Sequence, residues 1–167
     1  FAKADTPRRL FDLGVSALKI LRNWDSNLEI SLFGGDQQDL ATYKNTFKVL
    51  GRLKQIDELG DLYRAARVGL SFSTTNPSLV PYEMMACGLP VVDVKIATDH
   101  FPKYGFDEAA ALATPDPFQL ARKLKNVLDE ETTFYNLQAE GLKLASTMPT
   151  ESEATLVMRN FVDELFR

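Results

Sequence analysis

Pro81-Tyr82-Glu83-Met84-Met85-Ala86-Cys87-Gly88-Leu89-Pro90-Val91-Val92 decides how this chain is read. The first half has the composition of a short apolar helix that ends at Gly88, and the second half that of a buried strand. One carboxylate, Glu83, stands at the start of the helix. In so apolar a setting it is expected to be costly to desolvate unless hydrogen-bond donors meet it.

Outward from this stretch, short apolar runs alternate with helical periodicity. Toward the N-terminus, Phe1 and Ala2 read as the end of a strand. Thr6 is placed to cap a helix over residues 7–21, with Pro7 at its first position and Leu10, Leu13, Ala17, Leu18 and Leu21 on one face. Residues 28–33 read as a strand stopped by Gly34-Gly35-Asp36, residues 37–45 as a loop, and residues 47–50 as a strand ended by Gly51. A helix follows with Ile56, Leu59, Leu62, Tyr63 and Ala66 at helical spacing, then a strand at 68–72 and a turn-rich loop at 73–79. Beyond Gly88 come strands at 90–94 and 109–113. Asp116-Pro117 opens a helix carrying Leu120, Leu124, Val127 and Leu128. Two more helices end the chain, the last opened by the capping box Thr150-Glu151-Ser152-Glu153.

Continuous apolar strands separated by helices mean a parallel sheet covered on both faces. The predicted fold is α/β, a Rossmann-like doubly wound parallel sheet of about six strands, with residues 1–167 as one domain. Ligands of such sheets bind beyond the carboxyl ends of the strands, at the topological switch point. That rule selects the loops after Ala2, Phe33, Leu50 and Phe72.

Composition narrows the classes of function. The 167 residues are 45% apolar and 25% charged, as in an ordinary globular protein. A net charge of −4 without Lys/Arg runs argues against nucleic acid as a partner. The single Cys excludes an internal disulfide and a thiolate-rich zinc site. With no signal peptide or spanning stretch in view, the expected compartment is the cytoplasm. The chain begins inside a strand and reads as a piece of a longer protein.

Few residues are candidates for chemistry. Lys3, Arg8 and Arg9 gather at the first strand end; two cations in a first helical turn oppose the helix dipole, and a bound anion would reverse that penalty, while a solvated surface turn with incidental charge accounts for the same residues. Gly34-Gly35 reads as a plain turn that also permits close approach of a sugar or phosphate. Backbone N–H groups of Ser78, Leu79 and Val80, stiffened by Pro77 and Pro81, form a candidate phosphate cradle. Cys87, near a helix C-terminus, reads as a small core residue. His100, the single histidine, reads as a loop residue, and Asp36 and Asp93 as turn and strand-end residues. No metal site is expected.

The order of elements and three segments resemble the C-terminal, donor-binding half of GT-B-fold glycosyltransferases of family four. Residues 83–92 are similar to that family's Glu-x-x-Ala-x-Gly-x-Pro-Val-Val pattern. Residues 3–9 resemble its phosphate-binding Arg-to-Lys pair with the cation types exchanged, and residues 32–36 its strand–glycine turn. The wording of residues 7–18 and 71–94 is closest to the rhamnosyltransferase-like subgroup, which is similar to enzymes using dTDP-L-rhamnose in bacterial surface polysaccharide synthesis. The resemblance implies that Glu83 accepts from the ribose hydroxyls and that Lys3 and Arg9 neutralise the diphosphate. Leu50, Gly51, Arg52 and Leu53 would lie beside the base. Asn76, Pro77, Ser78, Leu79 and Val80 would face the donor sugar and second phosphate. Thr75 stands where many members carry a second Glu. The resemblance further implies a nucleoside-diphosphate sugar as substrate, retention of configuration, no cofactor or metal, and an N-terminal acceptor-binding domain beyond this chain. Peripheral membrane association of the full enzyme is also expected.

Three other readings stay open on sequence: a nucleotide-sugar epimerase of the same fold, a non-catalytic nucleotide-binding module, and a receiver-like domain. In the last helix, Ala154, Val157, Phe161, Val162 and Leu165 form a broad apolar face, expected to lie exposed or to pair in a homodimer.

Overall fold

Every strand pair in the computed structural model is parallel, as short apolar strands between helices require. It describes residues 1–72, 74, 78–95 and 105–165; Thr75, Asn76, Pro77 and His100 lie outside the described residues. The elements are α1 (Phe11–Trp24), β1 (Ser31–Phe33), β2 (Lys48–Gly51), α2 (Ile56–Ala65), β3 (Gly69–Leu70) and α3 (Val80–Ala86). They continue with β4 (Val91–Val94), α4 (Phe106–Ala109), β5 (Ala110–Ala113), α5 (Pro117–Asp129), α6 (Glu131–Ser146) and α7 (Glu151–Leu165). Among the described residues no helix is long and apolar enough to cross a membrane.

The strands form a pair, β2-β1, and a triplet, β3-β4-β5. Phe1 and Ala2 join them: Ala2 N donates to Phe33 O (2.7 Å) on one side, and Phe1 N to Leu70 O (2.8 Å) on the other. The spatial order is therefore β2, β1, residues 1–2, β3, β4, β5. Chain order reverses at residues 1–2, which makes their carboxyl end the switch point. Among the described residues five strands stand where about six were expected, because Phe1 and Ala2 hold a strand's place without a strand's length.

Both faces are covered. On one, Ala17 and Leu21 of α1 and Leu120, Ala121, Leu124 and Val127 of α5 pack on Val92, Val94 and Ala113. On the other, Tyr63 of α2 and Met84 and Met85 of α3 pack on Phe33, Val91 and Ala110. The helix caps follow the sequence. Asp116 accepts from Gln119 N at 2.8 Å. The Thr150/Glu153 box closes reciprocally at 3.3 and 2.7 Å. The expected loop at 37–45 is anchored by Leu40, which is fully buried, and holds a 3₁₀ turn at Ala41–Tyr43.

Two elements depart from expectation. Residues 7–21 are not one helix. Pro7–Arg9 form a separate 3₁₀ turn, Leu10 takes a left-handed φ of 45°, and α1 starts at Phe11. Thr6 does not cap it; its hydroxyl donates to Asp5 Oδ1 (3.1 Å). A left-handed leucine costs about 1 kcal/mol, which is offset by packing of the Leu10 side chain on the α1–α5 core and by anchoring of Arg9 to the sheet. Ile56, expected on the apolar face of α2, is 83% exposed at the first position of that helix.

On α7, Leu156, Val157, Met158 and Phe161 are all exposed; the side chains of Val162 and Leu165 lie outside the described residues.

Candidate nucleotide site

The turn after Ala2 carries the cations over the sheet's carboxyl edge. Arg9 Nη1 donates to Phe72 O (3.1 Å) at the end of the β3 run, and the guanidinium lies 5.6 Å from the centroid of the Phe1 ring. The loop after β3 is tied to the same turn, since Thr74 N donates to Arg8 O (3.1 Å). Arg8 and Arg9 belong to the last turn of a 3₁₀ segment and precede α1, where a place in the first turn of a longer helix was expected. Burial, followed by the Arg8 charge, pulls the Arg9 pKa down from its ordinary value, while Asp93 pulls it up. Lys3 is half-buried at the start of this turn, and its carbonyl accepts from Thr6 N (3.3 Å).

Glu83 lies in the first turn of α3. It is exposed, in contrast to the expected desolvated carboxylate. The correction has a simple geometric cause: α3 turns Pro81, Met84 and Met85 inward and leaves Glu83 and Ala86 outward, so the apolar neighbours in sequence are not neighbours in space. Among the described residues, the hydroxyl of buried Tyr63 reaches the carboxylate, at 3.5 Å from Oε2. Burial first, then the Glu83 charge, hold the Tyr63 phenol proton well above its ordinary pKa. Tyr63 therefore stays a donor.

An aromatic row connects the two ends of the site. Phe1 and Phe33 lie 5.6 Å apart, centroid to centroid, and Phe33 and Tyr63 5.7 Å apart in an edge-on contact. Arg9 stands over Phe1, and Glu83 is reached from Tyr63. The fold thus brings a guanidinium and a carboxylate, distant in sequence, to one side of the sheet at the switch point.

The other sequence candidates fall into place around this row. Gly34 has a φ of 95°, and a Cβ there would overlap the Phe1 ring; a Cβ on Gly35 would come within 2.7 Å of Ala2 O. Contacts within the protein thus already account for both glycines. Gly51 O accepts from Gly34 N (2.8 Å), holding the β1 and β2 loops together. Leu50 and Leu53 are half-buried. Arg52 makes a forked pair with Asp36, 2.8 Å from Nε to Oδ1 and 3.2 Å from Nη2 to Oδ2, with both side chains more than half exposed. Ser78 is buried, and its hydroxyl accepts from Val80 N (3.3 Å), so that amide of the expected cradle is already engaged. Leu79 is 73% exposed. Cys87 caps the end of α3 and is half-buried.

The profile of the WsaF C-terminal domain family matches residues 1–125, a span that contains every site residue above. The chain belongs to the WsaF C-terminal domain family. A relative, the O-antigen biosynthesis protein RfbC of Myxococcus xanthus, is 29% identical over 98% of this chain, which spans 13% of the relative's length. The C-terminal domain of a group 1 glycosyl transferase (LpcC) from Francisella tularensis superposes with a TM-score of 0.69 at 19% identity, covering 85% of this chain and 80% of that one. Anabaena HepE, solved with UDP and glucose, gives a TM-score of 0.67 at 18% identity over 96% of this chain and 45% of that one. These likenesses are of fold, and the fold is that of the C-terminal half of GT-B glycosyltransferases.

Two parts of the site in this WsaF-family chain escape sequence reasoning. Tyr63 reads as one more apolar-face residue of α2, and nothing local signals that its hydroxyl meets Glu83. Asp93 reads as a strand-end residue, yet it is 8% exposed within β4, a strand whose residues are all buried.

Proposed function

We propose that this chain binds the diphosphate and ribose of a nucleotide-sugar donor. In this reading it forms the donor half of a retaining, metal-independent hexosyltransferase of surface polysaccharide synthesis. Its placement of Arg9 and Glu83 at the two ends of one aromatic row, at the switch point, carries the proposal. A ribose diol donates hydrogen bonds and suits an exposed carboxylate acceptor. A diphosphate suits the guanidinium of Arg9, with Lys3 as a second cation at the start of the same turn. When the sugar–phosphate bond breaks, charge develops on the leaving diphosphate, and a cation already held in place stabilises it without reorganising.

The relative named for O-antigen biosynthesis and the UDP and glucose held by HepE support the class of donor and pathway. The rhamnosyltransferase-like wording of residues 71–94 makes dTDP-L-rhamnose the first donor to try. The base would lie by Leu50, Gly51, Arg52 and Leu53, and the sugar by residues 75–80. The acceptor would bind on a separate N-terminal domain, so this chain by itself binds nucleotide and transfers no sugar.

The test is the thermal shift of the chain with dTDP, UDP and GDP in metal-free buffer, against acetyl phosphate with Mg²⁺. Stabilisation by a nucleoside diphosphate is the expected result. A response confined to acetyl phosphate with Mg²⁺ would remove the reading in favour of a receiver-like domain.

A further inference from the structure

Under the Arg9 turn lies a polar cluster that the proposed binding role does not use. Ser71 N donates to Val92 O (3.4 Å), extending by one residue the register in which Gly69 faces Val91 and Leu70 faces Val92. Ser71 and Asp93 therefore lie side by side on adjacent parallel strands, with side chains on the same sheet face. Both are buried, at 1% and 8% exposure. Asp93 Oδ1 accepts from Val94 N (2.7 Å). The Ser71 hydroxyl and Arg9 Nε are buried without a hydrogen-bond partner among the described residues.

An isolated carboxyl in such a place is costly when ionised. Burial pushes Asp93 up to about 8, with the Val94 amide and then the Arg9 charge pulling it back. Among the described residues, Arg9 from the 7–9 turn is the charged group acting on it. Around it β3 contributes neutral Ser71, β5 contributes Leu112 in register, and α2 and α3 pack on that face through Tyr63, Met84 and Met85. Arg9 in turn feels Arg8 and Asp93, and burial followed by the Arg9 charge lowers the Phe1 amino group to about 5, so that amine is neutral above pH 6.5.

We propose that Asp93 is a positioning residue that acts through Arg9: the ionised carboxyl competes with a bound diphosphate for the guanidinium, and the neutral one leaves it to the ligand. The diphosphate part of this proposal rests on the nucleotide reading above; the coupling of Asp93 to Arg9 does not. Near neutrality Asp93 is mostly protonated and Arg9 offers its full charge outward. As pH rises past the Asp93 titration, the buried pair forms and the pocket loses attraction for anions.

The first test is the pH titration, from 6.5 to 9.5, of the Arg9 Nε–H resonance in the unliganded chain, assigned by its loss in Arg9→Lys. It should move with a midpoint near the Asp93 titration in the wild type and stay flat in Asp93→Asn. The second is UDP affinity by calorimetry across the same range, taken as the ratio of Asp93→Asn to wild type so that titration of the phosphate itself cancels. That ratio should grow by about 3–10-fold between pH 6.5 and pH 9. A flat Arg9 resonance in the wild type, or an equal movement in Asp93→Asn, overturns the coupling. A moving resonance with a constant affinity ratio overturns the effect on the ligand. Failure of the wild type to bind any nucleoside diphosphate defeats the nucleotide reading, and with it the diphosphate part; the resonance still decides the coupling.

Discussion

Replacing Glu83 by Ala separates binding from folding more cleanly than any other change in this site. Glu83 is exposed, in the first turn of a seven-residue helix. Its contribution to stability is a surface interaction with the helix N-terminus, worth about 0.3–1 kcal/mol. The other loss is the contact with the Tyr63 hydroxyl, which at 3.5 Å is at the limit of a hydrogen bond. The variant should therefore unfold within roughly 1 kcal/mol of the wild type. Binding should suffer more. A hydrogen bond to a charged acceptor contributes about 1.5–3 kcal/mol, so loss of the carboxylate should weaken nucleoside-diphosphate affinity by roughly 10–150-fold at about 1.4 kcal/mol per decade. Calorimetry with UDP and with its 2′,3′-dideoxy analogue gives the assay: the wild type should discriminate strongly between them, and Glu83→Ala should not. An unchanged affinity in a folded variant, or discrimination that survives the substitution, would refute the ribose role and leave Glu83 as a helix-terminal charge.

Other outcomes follow from the same geometry. Tyr63→Phe should lower nucleotide affinity about 2–5-fold through the long Tyr63–Glu83 contact, and should have no further effect in the Glu83→Ala background, as a double-mutant cycle would show. Gly34→Ala should cost roughly 2–5 kcal/mol in denaturant unfolding, because φ is 95° and the new Cβ meets the Phe1 ring; a near-neutral result would mean that Phe1 moves freely. Stability should also depend on pH through Asp93. Its carboxyl binds a proton more tightly folded, at about 8, than unfolded, near its ordinary 3.8. The stabilisation from this group is full below the unfolded value and is lost as pH rises toward 8. Thermal unfolding from pH 5 to 8 should show that decline in the wild type and a flatter curve in Asp93→Asn.

How much of this was legible in residues alone varies by element. The stretch 81–92 carries its own structure: apolar positions at helical spacing, a glycine stop, then residues suited only to a strand buried on both faces. It folds as α3 and β4. Capping signals at Asp116 and Thr150 are local chemistry and fold as read. At the entry to α1, Thr6-Pro7 is a sound local start signal for one helix. It was overruled by contacts 63 residues away, where Arg9 anchors to Phe72 and draws the turn over the sheet edge. Glu83 faces outward for a related reason: a helix sends adjacent residues to different faces, so its apolar sequence neighbours do not enclose it.

The sequence by itself determined the order of elements, the parallel sheet and the residue types available at its carboxyl edge, since periodicity and turn chemistry act over a few bonds. Tertiary structure alone decided which of them meet. Tyr63 reaches Glu83 across 20 positions, the Phe1–Phe33–Tyr63 row spans the gap to Arg9, and Asp93 comes to lie beside Ser71. Those meetings depend on strand register and on which helix covers which face. Both are set when the whole apolar surface is buried at once, and no local stretch of chain encodes them.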